Sequence, residues 1–209
     1  MFIMQSKNGV FINKYGVMGM WNIEKIDGYL RTNLKKSRYE HSVSVMNTSI
    51  KLAKQYNENI FKAQIAGLVH DCAKNLSDEE ILDILTEHGC IIDDVCRSYP
   101  QIMHGAAGSI IANEIMGIDD EDILSAVKYH TTGKKDMSTL EKIIYIADYI
   151  EPLRNFNGVE EVRKEAETSL NNALMKSFDM TIKYVVESGK PLHTDTVEGR
   201  NYLIITDCR

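Results

Sequence analysis

Six side chains in this sequence have the types and the spacing that two adjacent metal ions would require. An apolar run through Leu68 and Val69 ends in the adjoining pair His70-Asp71, followed by Cys72, Ala73 and Lys74. His41 stands upstream, and His104, His130 and Asp148 stand downstream, each near an end of a segment with helical spacing. A single histidine on an inward stripe is ordinarily a hydrogen-bonded core residue. Four of them together with two aspartates need another explanation, because a buried carboxylate is costly unless a cation or several donors compensate it. The chain has six histidines in all, and His88 and His193 lie in polar surroundings that give them no role. Mixed imidazole and carboxylate donors without thiolate suit iron, manganese, zinc or cobalt better than calcium or a structural zinc cluster. Six donors are too many for one catalytic ion that keeps an open position, so two ions roughly 3.5 to 4 Å apart are expected. Asp71, central in the series and next to His70, is the expected bridge. Such a pair can lower the pKa of a shared water and clamp the oxygens of an in-line phosphoryl displacement.

The elements that must position these groups read as helices. Ile23, Ile26, Leu30 and Leu34 recur at helical spacing, and a second helix from about Ser37 aligns His41, Val45, Leu52 and Tyr56. A third runs from about Ile60 to the His-Asp pair. Ala63, Ala66 and Gly67 lie on the face that ends in His70, small enough for a neighbouring backbone to approach closely. Ser77 and Glu80 have capping-box spacing, opening a helix to about His88 that Gly89 closes. A looser stretch through Ser98-Tyr99-Pro100 leads to helices from about Met103 to Gly117 and from about Asp120 to His130. After the polar loop Thr131–Lys135, a second box of Ser138 and Glu141 opens a helix carrying Ile144, Ala147 and Asp148 on one face. One or two helices are expected over residues 159–188, and Tyr202-Leu203-Ile204-Ile205 reads as a short extended piece.

The expected fold is therefore all-α, a single domain over residues 20–209, with residues 1–19 as an N-terminal extension or leader. The apolar start of that leader is broken by Lys7, Asn8 and Gly9, which no secretory h-region allows. A length of 209 residues is enough for one well-buried core, and 44% hydrophobic with 26% charged residues is ordinary for a globular domain. The net charge of −6, with no basic run beyond Lys35-Lys36-Ser37-Arg38, argues against a nucleic-acid partner. No stretch reaches the length of a membrane span. The four cysteines form no Cys-x-x-Cys pair, so reduced thiols in a cytoplasm are expected, with Cys72 a small buried side chain rather than a soft ligand. A homodimer, the commonest assembly of soluble chains, is the possible oligomer.

His41, His70-Asp71 and Asp148 resemble the H…HD…D signature of the HD-domain metal-dependent phosphohydrolases, and the similarity extends over most of residues 22–205. The stretches Arg38-Tyr39-Glu40-His41-Ser42, Leu68 to Lys74, His130-Thr131-Thr132-Gly133 and Ala147 to Pro152 resemble the YqeK-type subfamily of symmetrical diadenosine tetraphosphate hydrolases. The resemblance implies an α-helical domain with two iron ions. It assigns the first to His41, His70, Asp71 and Asp148 and the second to Asp71, His104 and His130. Asp71 and Lys74 become the catalytic pair, with Lys74 meeting a substrate phosphate or the developing charge. Thr131, Thr132 and Gly133 would offer donors to phosphate oxygens, Arg154 would be a bidentate phosphate partner, and Arg200 and Asn201 would line the nucleotide pocket. The implied reaction is attack by a metal-bound hydroxide on the tetraphosphate bridge, giving two ADP. Cys72 departs from the aromatic residue expected after the pair. A nucleotidase or cyclic-nucleotide phosphodiesterase of the same superfamily is the nearest alternative, but there is no Gly-Tyr-Pro segment or adjacent histidine pair of the cyclic-dinucleotide class. A non-catalytic nucleotide-binding regulator would have no physical need for an intact two-metal ligand set.

Overall fold

The computed structural model describes the backbone of residues 4–5, 11–12 and 20–207 and the side chains of residues 20–206. The leader read at residues 1–19 lies outside the described residues apart from two strands, β1 (Met4–Gln5) and β2 (Phe11–Ile12), which pair antiparallel with Met4 opposite Ile12. All other regular structure among the described residues is helical, in eleven α-helices and one 3-10 turn.

α1 (Ile23–Asn33) starts where the Asn22 side chain accepts the Lys25 N–H, and it buries Ile26 and Leu30. α2 (Lys36–Gln55) packs on α3 (Ile60–Val69) at a very short distance: a Cβ on Gly67 would lie 2.7 Å from Ser49 Oγ and 3.0 Å from the Met46 backbone. Both capping boxes form, Ser77 with Glu80 ahead of α4 (Asp78–Glu87) and Ser138 with Glu141 ahead of α8 (Thr139–Ile150). Between those two helices lie α6 (His104–Glu114) and α7 (Glu121–Tyr129). Two further helices, α9 (Val159–Ala166) and α10 (Leu170–Glu187), cover α8, where Phe178 is fully buried. The centre of the domain is the meeting of α2, α3, α7 and α8 around Val45, Ile65, Leu68, Val127 and Ile144. Among the described residues no helix is long and apolar enough to cross a membrane.

Two local readings differ from the sequence expectation. The stretch before Met103 is not loose: Asp93 accepts the Cys96 N–H to start α5 (Asp94–Ser98), and Pro100 leads the 3-10 turn Pro100–Met103. The extended piece at Tyr202–Ile205 is part of α11 (Thr194–Asp207). Its buried positions are Thr196, Gly199 and Leu203, a helical spacing that runs across the apolar run and fixes it against α10.

Candidate metal centre

The site is built from helix ends. His70 and His130 are the C-cap residues of α3 and α7, His104 is the first residue of α6, and His41 lies in the second turn of α2. The capping position has a direct consequence, because the ring can reach back to the unpaired carbonyl of the last turn. His70 Nδ1 lies 2.8 Å from Gly67 O, and His130 Nδ1 lies 2.7 Å from Val127 O. His104 makes the same contact with Gln101 O at 2.6 Å. A carbonyl only accepts, so in each case Nδ1 carries the proton and the Nε2 lone pair points inward. For His41 the partner is Glu151 Oε1 at 3.0 Å, a fully buried carboxylate on the C-cap residue of α8. Gly105 lets the start of α6 touch the end of α7. A Cβ there would lie 2.7 Å from Lys128 O and 2.9 Å from Val127 O, so no larger residue would leave His104 Nε2 only 3.0 Å from His130 Nε2.

The four imidazoles converge on the two oxygens of Asp71. Oδ1 lies 2.9 Å from His104 Nε2 and 3.6 Å from His130 Nε2. Oδ2 lies 3.5 Å from His70 Nε2 and 3.7 Å from His41 Nε2. Asp148 Oδ1 stands 2.9 Å from His41 Nε2 and 3.9 Å from His70 Nε2. The buried Nε2 atoms of His41 and His70 have no hydrogen-bond partner. Lone pairs facing carboxylate oxygens and each other at these distances repel unless something positive lies between them, so the donor set fits divalent cations. Burial alone would raise the Asp71 carboxyl, yet it is held well below the usual carboxylate range, and the Arg38 guanidinium 2.6 Å from Oδ2 favours the ionised form whichever tautomer the imidazoles adopt. Asp148 is likewise lowered against its burial, with the Arg154 guanidinium donating to Oδ1. Burial pushes the His104 imidazole down to about 4, leaving it neutral and free to ligate at physiological pH. Cys72, raised to about 12 by burial, stays a thiol and lies 3.4 Å from Gly108 O, turned away from the cluster as a small core side chain.

A cleft of about 220 Å³ opens on the cluster, lined among others by Arg38, Lys74, Thr131 and Arg154. Lys74 Nζ stands 3.4 Å from His104 Nδ1, and its burial lowers its pKa. Arg154 donates to Asp148 Oδ1 at 2.5 Å and to the Asp148 carbonyl at 2.9 Å. Thr131, Lys74 and Arg154 are thus brought to the cluster. Thr132 and Gly133 are not: the Thr132 hydroxyl donates to Gly133 O, its carbonyl accepts from Thr196, and Gly133 packs on Phe178. Arg200 and Asn201 line a separate hollow on α11, where Arg200 pairs with Asp179. Sequence reasoning missed Arg38 and Glu151. Arg38 donates to Asp71 Oδ2 at 2.6 Å. Both lie inside motif stretches already noted, and their roles depend on partners 33 and 110 residues away.

A model of the HD domain family matches residues 38–153. A Bacillus subtilis protein named bis(5'-nucleosyl)-tetraphosphatase, symmetrical, is 40% identical over 183 residues, which are 88% of this chain and 98% of that protein. A Halalkalibacterium halodurans protein of the same name is 39% identical over 176 residues, covering 84% of this chain and 94% of the relative. A solved structure from Clostridium acetobutylicum, described as a "predicted HD superfamily hydrolase involved in NAD metabolism", has a TM-score of 0.88 at 54% identity and covers 90% of this chain and all of that one. Matched over most of its helical core and by relatives nearly its own length, the chain belongs to the HD-domain family.

Proposed function

We propose that this chain hydrolyses diadenosine tetraphosphate symmetrically, to two ADP, at a centre of two divalent ions, with iron as the resident metal. The observation that carries the reading is the split of Asp71, one oxygen facing His104 and His130 and the other facing His41 and His70. His41, His70, Asp71 and Asp148 would hold one ion, and Asp71, His104 and His130 the other. Ions held there would supply Lewis acidity, activating water and neutralising phosphate charge. The substrate follows from the relatives named symmetrical tetraphosphatases and from a cleft bordered by cationic side chains.

The chain's own groups have definable tasks. Asp71 must stay ionised through the reaction, and the Arg38 guanidinium, donating to Oδ2 at 2.6 Å, favours that form. Lys74 keeps its ammonium in a partly desolvated place, where a point charge acts more strongly on a phosphate oxygen than in water. Arg154 presents a planar fork at the cleft wall for the same phosphates. Thr131 offers a hydroxyl between His104 and His130, at 3.3 and 3.2 Å from their Nε2 atoms. The reducing cytoplasm is the proposed compartment, supported by the buried thiols of Cys72 and Cys96.

Anaerobically purified protein, supplied with ferrous iron and diadenosine tetraphosphate, is expected to bind two ions per chain and release ADP alone. ATP with AMP would overturn the symmetrical register, and protein that binds no metal would overturn the centre itself. The Asp71→Asn variant, which loses one anionic oxygen from the bridge, is expected to lose turnover by at least about 100-fold.

A further inference from the structure

Away from the centre, Asp93, Cys96 and His193 bring a carboxylate, a thiol and an imidazole together. Asp93 is the N-cap of α5 and Cys96 its third residue, while His193 stands just before α11, far along the chain. One ligand atom of each lies within 4.8 Å of the other two. His193 Nε2 is 3.8 Å from Asp93 Oδ2. Cys96 is 2% exposed, whereas the Asp93 side chain is 45% exposed, so an ion has a path from solvent to a buried sulfur.

The backbone positions each donor. Asp93 Oδ1 accepts the Cys96 N–H at 2.8 Å, which caps α5 and leaves Oδ2 facing His193. The His193 ring has a partner at Nδ1 for either tautomer. The Asp195 N–H donates to it at 3.2 Å, and Asp195 Oδ2, 3.6 Å away, can take its proton when Nε2 gives its lone pair to a cation. A carboxylate behind the ring is the arrangement that orients a metal-bound imidazole. Burial first, then the Asp93 carboxylate, pushes the Cys96 thiol up to about 12, so a cation is what ionises it. Thiolate and Asp93 together then balance a divalent charge.

We propose that Asp93, Cys96 and His193 bind a divalent ion of the zinc type, distinct from the His/Asp centre, which clips α5 to the start of α11. Binding breaks the Cys96 S–H bond, forms the sulfur–metal bond and releases the proton to solvent, with water completing a tetrahedral shell. The sulfur makes the site select zinc or cadmium over magnesium, calcium and manganese. Both clipped segments lead towards the centre. α5 continues through the turn Pro100–Met103 to His104, and Thr196, next to Asp195, donates to the carbonyl of Thr132 beyond His130.

Cadmium titrated into the iron-loaded full chain reads the thiolate directly. Cadmium taken up by the His/Asp cluster meets only nitrogen and oxygen donors there, while Cys72 faces Gly108 O. Wild type is expected to give a saturable thiolate-to-cadmium charge-transfer band that excess zinc suppresses and magnesium does not. Cys96→Ser is expected to abolish it. Asp93→Asn keeps an N-cap acceptor for α5 but loses the charge, and His193→Ala changes a partly exposed position. Each is expected to weaken cadmium by at least about ten-fold, and the two decide the case if Cys96→Ser does not fold. No band in wild type, a band that survives Cys96→Ser, or unchanged cadmium affinity in Asp93→Asn or in His193→Ala overturns the site.

Discussion

Glu151 does for His41 what backbone carbonyls do for the other three histidines: it accepts the Nδ1 proton and so aims Nε2 at the cluster. It is itself held by the Leu153 N–H, at 2.7 Å. Unlike a carbonyl, it can be changed by mutation. Glu151→Gln keeps an acceptor but removes the charge that strengthens the imidazole as a donor, so metal affinity is expected to fall by about ten-fold, and in Glu151→Ala by about 100-fold. Competition with a calibrated chelator measures both, and equal affinity in wild type and Glu151→Ala would remove the orienting role. The convergence of these six side chains is legible in the sequence, because their types and their places at helix ends are both one-dimensional facts. Arg38 and Glu151 are not, since nothing local marks a residue whose partner arrives from another helix. Arg200 and Asn201 show the converse: a motif near the chain end carried an expectation that helix geometry directs to a different hollow.

The contact between α2 and α3 holds two of the cluster's histidines at fixed separation, and Gly67 sets its distance. Gly67→Ala would force a methyl against Ser49 and the Met46 backbone, so a loss of about 1 to 3 kcal/mol in unfolding free energy is expected. Gly28, exposed in α1 with nothing within 4 Å of a would-be Cβ, is the control. There alanine should stabilise by about 0.5 to 1 kcal/mol through helix propensity alone. Denaturant unfolding of both variants tests the pair. A second element-scale contact is pH-sensitive: His88, the C-cap of α4, has its ring 2.7 Å from Ile84 O and 2.8 Å from Glu114 on α6. Glu114 first, then the Ile84 carbonyl, raises the His88 pKa above its ordinary 6.5. A raised folded value means that the stabilisation is fully present below 6.5 and is lost as pH rises through the folded pKa. The difference in Tm between wild type and Glu114→Gln should therefore be widest near about pH 6 and vanish at alkaline pH, and as an exposed pair it should not exceed about 3 °C. A difference that grows with pH would reverse the assignment. At this scale helix boundaries follow from caps, as at Ser77 and Ser138, whereas in α11 four consecutive β-prone residues mask in the sequence the three-and-four spacing of Thr196, Gly199 and Leu203.

For the whole molecule, the cluster is where α2, α3, α6, α7 and α8 meet, so its charge balance belongs to the stability of the domain. Arg38 and Arg154 provide the cationic partners of Asp71 and Asp148 that the protein itself supplies. They leave four imidazole Nε2 atoms gathered around the two oxygens of Asp71, with His41 and His70 unpartnered at Nε2. Divalent ions would satisfy those groups in the folded state and find no such array in the unfolded chain. The arithmetic of that linkage is simple: free metal at about 100 times its Kd stabilises by about 2.7 kcal/mol. For a chain of this size that is a rise in Tm of about 5 to 10 °C. Protein stripped with a chelator should still unfold cooperatively, because the apolar core around Ile65, Leu68 and Ile144 does not depend on the ions. Its Tm should climb with the logarithm of added ferrous iron, and the climb should be lost in His104→Ala and in His41→Ala, which sit on opposite oxygens of Asp71. If only one of the two substitutions abolishes the metal-dependent rise, the stabilising ion occupies one half of the cluster and the bridge assigned to Asp71 falls. If each substitution on its own abolishes the rise, the two halves act as one site joined by the Asp71 carboxylate; partial, additive losses would mean two ions held independently and would overturn the bridge.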